Sequence, residues 1–173
     1  MSMPSNGSEI VLRPARAGDG PALFNVTVQS VQGLGKSHYT REQLAEWMGE
    51  RTADHYEDII KKGRTVIAEH RCEVVGFVDS DPGEVTRLFL LPKVAGQGLG
   101  KRLLKAGVDN AKRGHSGPIK IESTLNAQAF YERHGFKAIQ DSSLTALGES
   151  RLKSCSWKWH KHKVARCLSI RSY

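Results

Sequence analysis

Three glycines between an apolar and an amphipathic segment are the part of the sequence with the clearest chemical meaning. The apolar residues 88–91 lead through Gly96, Gly98 and Gly100 into the Leu-containing residues 101–104. Glycines let a backbone approach a ligand closely, and the first amides of a helix have no intrahelical acceptor. These N–H groups and the positive end of the helix dipole favour an anion. The spacing therefore predicts a strand-to-helix junction that binds a phosphorylated cofactor.

Two other glycine-rich phosphate motifs do not fit this segment. In a Walker A loop, Gly-Lys is followed by Ser or Thr, whereas Gly100-Lys101 is followed by Arg102 and the first glycine position is Ala95. A dinucleotide-binding fingerprint needs G-x-G-x-x-G near the start of a parallel sheet. This sequence has G-x-G-x-G in the middle of the chain. Both motifs are therefore excluded.

A second segment, residues 126–136, reads as one short capped helix. Asn126 can cap its N-terminus, and Phe130 and Tyr131 fall on one face at helical spacing. Gly135 supplies the left-handed residue that ends many helices. Taken alone, the segment is equally consistent with an ordinary core helix.

Taken together and in this order, the two segments resemble the signatures of the GNAT superfamily of N-acetyltransferases. Residues 88–104 match a strand, a proline and a turn before the helix-opening motif [Gln/Arg]-x-x-Gly-x-[Gly/Ala]. Residues 126–136 match a shortened N-x-x-A-x-x-x-Y-x-x-x-G-F, and the resemblance extends over residues 64–157. One departure is Ala95, which stands at the family's Gln/Arg position and has no side chain to reach a phosphate. Because the family's phosphate contacts are mostly backbone amides, we expect cofactor binding to persist.

The resemblance implies acetyl-CoA as the acetyl donor and no metal. In this family two neighbouring strands, here ending at Leu91 and Glu122, diverge, so that a pantetheine arm adds to the exposed edge like a further strand. The residues that match the family's cofactor-binding positions are Leu90, Leu91, Ala95, Gly96, Gln97, Gly98, Leu99, Gly100, Lys101 and Asn126.

The resemblance also implies acetyl transfer to a primary amine of a small molecule, a peptide or a protein. Tyr131 matches a tyrosine that protonates the leaving thiolate in many relatives, and a phenol pKa of about 10 keeps it protonated at neutral pH. Glu84 has the spacing of the glutamate that serves as general base in histone-type members. The Leu90 N–H, expected at a strand bulge, is the candidate oxyanion donor. The structural alternatives are a packing role for Tyr131 and a turn role for Glu84.

The acceptor pocket is expected to be shaped by residues 34–47, with Asp79, His38 and Tyr39 as further candidate residues. Two other functions remain open. One is an acetyl-CoA-binding module without catalysis. The other is nucleic-acid binding by the basic residues 158–173, which we regard as the less favoured reading because basic termini are often solvated extensions.

Composition describes one globular domain. The 173 residues are 39% hydrophobic and 25% charged, and the net charge is +8, with five cations and no acid in residues 158–173. No apolar stretch approaches the roughly 20 residues of a membrane span, and residues 1–9 lack the apolar core of a secretory signal. Cys72, Cys155 and Cys167 form no C-x-x-C pair. We therefore expect a cytoplasmic protein, monomeric or homodimeric, without a zinc site.

A mixed sheet is needed to position these residues. Strands are expected at 9–13, 65–69, 73–79, 84–91, 118–122, 137–140 and 151–159, and helices at 19–32, 54–62, 99–113, 126–134 and after the capping residue Thr40. Short turns make the strands between 65 and 91 antiparallel, whereas the strand at 118–122, reached through a helix, should be parallel to its predecessor. The predicted fold is mixed α/β and GNAT-like, with a mostly antiparallel sheet of about seven strands flanked by helices. Residues 1–157 are expected to form one domain and residues 158–173 a basic tail.

Overall fold

The computed structural model describes residues 9–34, 40–49, 51–124, 127–145 and 151–159, which form one sheet with helices on both faces. The strands are β1 (Val11–Pro14), β2 (Val66–His70), β3 (Glu73–Asp81), β4 (Glu84–Leu90), β5 (Ile119–Thr124), β6 (Phe136–Thr145) and β7 (Arg151–Trp159). The helices are α1 (Gly20–Leu34), α2 (Arg41–Met48), α3 (Ala53–Lys61), α4 (Leu99–Ala111) and α5 (Gln128–Arg133), and a 3₁₀ turn spans Pro92–Val94.

The seven strands lie in the order β1-β2-β3-β4-β5-β7-β6. Every neighbouring pair is antiparallel except β4 and β5, which are parallel. This arrangement confirms the predicted mixed, mostly antiparallel sheet. The parallel pair is the one that α4 connects, as expected for a helical crossover.

Local signals placed most elements to within a few residues. Thr40 and Gln43 form the expected capping box at α2, in which the Gln43 N–H donates to Thr40 Oγ1 and the Thr40 N–H donates to Gln43 Oε1. Gly135 takes the expected left-handed conformation after α5, with φ of +87°. The helix itself begins later than predicted, with Ala127 as its N-cap, and Asn126 lies outside the described residues.

The two faces of the sheet carry different helices. On one face α4 packs closely against β3, because a Cβ added at Gly107 would lie 2.5 Å from Val78 Cγ2. Ser80 Oγ on this face donates a hydrogen bond to the Gly107 carbonyl. On the other face Tyr56 of α3 packs edge-on against Phe77, with ring centroids 6.0 Å apart. Alternate residues of β3 therefore face α4 or the α1–α3 pair.

The basic tail predicted from residue 158 overlaps β7, because Lys158 and Trp159 pair with β5 and β6. The division into one domain and a tail stays a prediction. Across the described parts of the chain, no helix has the length and apolar character that crossing a membrane requires.

A carboxylate from α3 caps the first helix. The Gly18 and Gly20 N–H groups donate to Glu57 Oε1 at 3.0 and 2.7 Å, so that Glu57 accepts from the amides at the start of α1. The backbone of Gly20 lies close to the Glu57 side chain, because a Cβ added at Gly20 would lie 2.6 Å from Glu57 Oε1. Glu57 thus links the two helices that cover one face of the sheet.

We expect Glu57→Ala to lower the free energy of unfolding by about 1–2 kcal/mol, because two helix-start amides lose a charged acceptor. Urea denaturation measures the change. Asp58→Ala is the matched control: Asp58 is the next residue of the same helix, is exposed and pairs only with Lys61 one turn away among the contacts described. Equal losses in the two variants would contradict the capping role.

Candidate active site

Strands β4 and β5 separate soon after they meet. Their pairing consists of Glu84 with Lys120 and Val85 with Ile121, although β4 continues to Leu90. Beyond this point β4 keeps β3 as its neighbour and β5 keeps β7. Within the described residues the facing edges are thus unpaired over the carboxyl-terminal halves of both strands, which confirms the expected divergence and leaves a wedge-shaped gap in the sheet.

The register of β4 decides which of its backbone groups face this gap. The Leu91 N–H donates to the Val75 carbonyl at 2.8 Å, and Leu90 lies opposite Gly76. Because antiparallel strands direct the backbone groups of alternate residues to opposite sides, the N–H and C=O of Leu90 and Leu88 face the gap. Of the two predicted residues Leu90 and Leu91, only Leu90 directs its N–H toward the gap.

The bulge in β4 lies at Thr86 and not at Leu90. Arg87 pairs with Asp79 and Val85 pairs with Ser80, so that Thr86 is an extra residue between two regular stretches. The expectation of a bulge at Leu90 was therefore wrong, because the register from Arg87 to Leu90 is unbroken. A bulge bends its strand, and this one falls where the pairing with β5 stops.

The glycine-rich junction lies at the open end of the gap. Gly96 and Gly98 have φ of +75° and +80°, and α4 begins directly after Gly98. The first turn of α4 closes with the Arg102 N–H on the Gly98 carbonyl, so the amides of Leu99 to Lys101 precede any intrahelical acceptor. Gln97 Nε2 donates to the Lys93 carbonyl and thereby fixes the turn. The predicted strand-to-helix junction with its helix-start amides is present, and its binding of an anion stays a prediction.

Helix α5 packs against this junction. A Cβ at Gly100 would lie 3.1 Å from Phe130 Cε2 and 3.5 Å from Leu90 Cδ2. The structure therefore brings Gly100, Leu90 and the residue next to Tyr131 together. A side chain at position 100 would displace the Phe130 ring by a few tenths of an ångström, so Gly100 favours this close approach of α4 and α5.

Tyr131 is a core residue, only 4% exposed. Its ring lies edge-on to Phe130 and Phe136, with centroids 5.0 and 5.8 Å away. Burial raises the pKa of the Tyr131 phenol above its ordinary value because the phenolate would lose its solvation. The phenol is therefore protonated at neutral pH.

Glu84 lies at the other end of β4, where that strand is paired on both sides, with Asp81 and with Lys120. Leu90 is the sixth residue after Glu84 along the strand, which corresponds to about 20 Å. Glu84 thus lies beside the closed end of the gap and away from the glycine junction. His38 and Tyr39 lie outside the described residues.

A polar cluster on the face opposite α4 was only partly expected from the sequence. The Asp79 carboxylate is buried and accepts from Thr65 Oγ1 at 2.9 Å, Thr86 Oγ1 at 2.8 Å and Arg87 Nη1 at 3.2 Å. Burial lowers the pKa of Arg51 and of His55, and the positive charge of Arg87 lowers both further, so the two side chains belong to the electrostatic surroundings of this cluster. The sequence signalled Asp79 alone, since the bulge that brings Thr86 and Arg87 to one face is a property of the register.

Among the described residues, no group of three or more His, Cys, Asp or Glu side chains is arranged to hold a metal ion.

Comparisons with known proteins agree on one family. The sequence profile described as the acetyltransferase (GNAT) domain matches residues 36–147. A relative named as an uncharacterized N-acetyltransferase of Archaeoglobus fulgidus is 27% identical over 145 residues, which are 75% of this chain and 90% of the relative.

Two solved structures show the same fold. A GCN5-related N-acetyltransferase from Rhodopseudomonas palustris superposes with a TM-score of 0.78 at 22% identity, covering 88% of this chain and 96% of its own. The PaiA N-acetyltransferase from Thermoplasma acidophilum, solved in complex with coenzyme A, gives a TM-score of 0.68 at 20% identity and covers 87% of this chain and 99% of its own.

Proposed function

The chain belongs to the GNAT family of acetyltransferases, and from this premise we propose that it transfers an acetyl group from acetyl-CoA to a primary amine of a small molecule, a peptide or a protein. The observation that carries the proposal is the gap between β4 and β5 beside the Gly96–Gly100 junction. Acetyl-CoA, when bound, supplies an activated acyl group and a thiolate leaving group.

The donors of the site fit the chemistry of coenzyme A. Its pantetheine arm contains amides, and the unpaired main chain of Leu88 and Leu90 offers the hydrogen bonds of a missing strand. The backbone amides of residues 96–101 would hold the pyrophosphate. Because these contacts come from the main chain, Ala95 at the family's Gln/Arg position removes one side-chain contact and leaves the rest.

Three groups are proposed for the chemical step. The Leu90 N–H, which faces the gap, is the candidate donor to the oxygen of the thioester. Tyr131 would donate a proton to the departing thiolate. Glu84 lies about 20 Å along β4 from Leu90, so it would take the proton of the amine only through a chain of water molecules. Asp79 is a weaker base candidate because both of its oxygens already accept hydrogen bonds.

The location, the oligomeric state and the other partners of the protein are also proposals. A cytoplasmic location, a monomeric or homodimeric state and an absence of nucleic-acid binding stay predictions. The alternative function is an acetyl-CoA-binding module without catalysis, in which Tyr131 only packs against Phe130 and Phe136.

The proposed activity predicts amine-dependent release of thiol from acetyl-CoA. The purified full chain is incubated with acetyl-CoA and a panel of primary amines, free thiol is measured, and acetylated products are identified by mass spectrometry. We expect thiol release and acetylation for a subset of amines. Tight acetyl-CoA binding without thiol release from any amine would establish the non-catalytic alternative.

The cofactor site predicts that Gly98→Val weakens coenzyme A binding at least tenfold by calorimetry, because the new side chain would stand beside the helix-start amides. Gly114→Val is the matched control. Both glycines have φ near +80° and open space around the missing Cβ, and they lie at opposite ends of α4, so backbone strain of about 1–2 kcal/mol is common to both variants. Unchanged affinity in a folded Gly98→Val protein would remove the junction from the site.

The proton-donor role predicts that Tyr131→Phe lowers kcat by about 10²- to 10⁴-fold, the usual contribution of a positioned acid. The ring and its burial are kept, so stability and coenzyme A affinity should change little. Full kcat between pH 6 and 9 would leave Tyr131 a packing residue.

A further inference from the structure

Arg87 occupies a distinctive place on β4. It is the residue after the bulge, where β4 has just parted from β5, and it lies on the face opposite α4. Its side chain is 28% exposed, whereas the Asp79 side chain that binds it is 1% exposed. The guanidinium is thus anchored to a buried carboxylate, and part of the Arg87 side chain is accessible to solvent.

The anchoring uses only one of the three guanidinium nitrogens. Arg87 Nη1 donates to Asp79 Oδ2 and Thr86 Oγ1, and within the described ranges these are the hydrogen bonds that the guanidinium makes. The N–H groups of Nε and Nη2 therefore remain as a planar fork of the kind that binds a carboxylate or a phosphate. The two carboxylate oxygens of Asp79 also accept hydrogen bonds from Thr65 and Thr86, and Asp79 contacts Arg87 at Nη1 and not at the fork.

The surroundings of this fork are positive. Burial lowers the pKa of Arg51, and the nearby charge of Arg87 lowers it further. The His55 pKa is lowered by burial first and then by Arg87 and Arg51; Lys62 lowers it too, whereas Asp58 acts in the opposite direction. The charges of Arg87 and Arg51 therefore add up on this side of the sheet, which favours an anion and disfavours a second cation, whereas His55, with its lowered pKa, is neutral near pH 7 and adds no charge.

Resting on the proposed function, we propose that the acceptor is an amine that also carries an acidic oxygen group, a carboxylate or a phosphate, and that Arg87 binds this group. The glycine junction for the coenzyme lies on the side of α4, so the acceptor reaches the gap from the other face, where Arg87 lies. Asp79 and Thr86 hold the guanidinium while its outer edge selects the acceptor.

The test compares amines that differ only in charge. The full chain is assayed by thiol release with amino acids and ω-amino acids of several lengths, each paired with its carboxamide, together with phosphoethanolamine and 1,4-diaminobutane. We expect kcat/KM for the acidic amines to exceed that for the matched amides at least tenfold. The phosphate and carboxylate members distinguish the two acid types.

Variants test the assignment to Arg87. In Arg87→Gln, KM for the acidic amine should rise about 10- to 100-fold, the acid-to-amide preference should disappear, and coenzyme A affinity should stay unchanged. Arg87→Lys keeps the charge beside Asp79 but loses the fork, so it should retain the fold and show an intermediate preference. Arg113→Gln removes an exposed arginine elsewhere and should change nothing.

The outcomes separate the two proposals. Efficient transfer to amides or diamines with no preference for acids would overturn the acidic acceptor and leave the acetyltransferase intact. A wild-type preference for acids that survives unchanged in Arg87→Gln would overturn the role of Arg87. Transfer to no amine at all would overturn both proposals.

Discussion

The separation of β4 from β5 after two paired residues is the constraint on which the rest of the site depends. Had the pairing continued to Leu90, the main chain of both strands would be satisfied and no further segment could be added. Because it stops at Val85, an edge lies open inside the sheet, beside the start of α4. Open edges are normally protected because they aggregate, so one kept in the middle of a sheet favours a ligand as its partner.

The bulge at Thr86 and the buried Asp79 form one unit with this separation. An extra residue in β4 places Thr86 and Arg87 on the same face, where both donate to Asp79. A carboxylate without partners would be costly to bury, and three hydrogen-bond donors offset that penalty. The hydrogen bonds to Asp79 thereby fix the position at which β4 bends. The pairing of β4 with β5 ends at the same position.

Much of this arrangement follows from local sequence signals. The signals for the strands at 73–79 and 84–91, the glycines before Leu99 and the capping pair Thr40 and Gln43 act within a few residues, and the structure agrees with each. The position of the bulge and the insertion of β7 between β5 and β6 depend on how separate strands pair with one another. No local pattern encodes such register, and the bulge expected at Leu90 was inferred from the family resemblance alone.

In one short stretch of β4, alternate residues serve the two proposed functions, cofactor binding and acceptor binding. Leu88 and Leu90 direct their main chain to the gap and their side chains to α4, whereas Arg87 directs its main chain to β3 and its side chain to the opposite face. Backbone groups bind a cofactor arm whatever the side chains are, so that half of the site tolerates Ala95 and apolar residues alike. The side chains of the other face are then free to define the acceptor. A strand with a period of two can therefore keep its cofactor while its substrate changes, because the two functions lie on alternate residues.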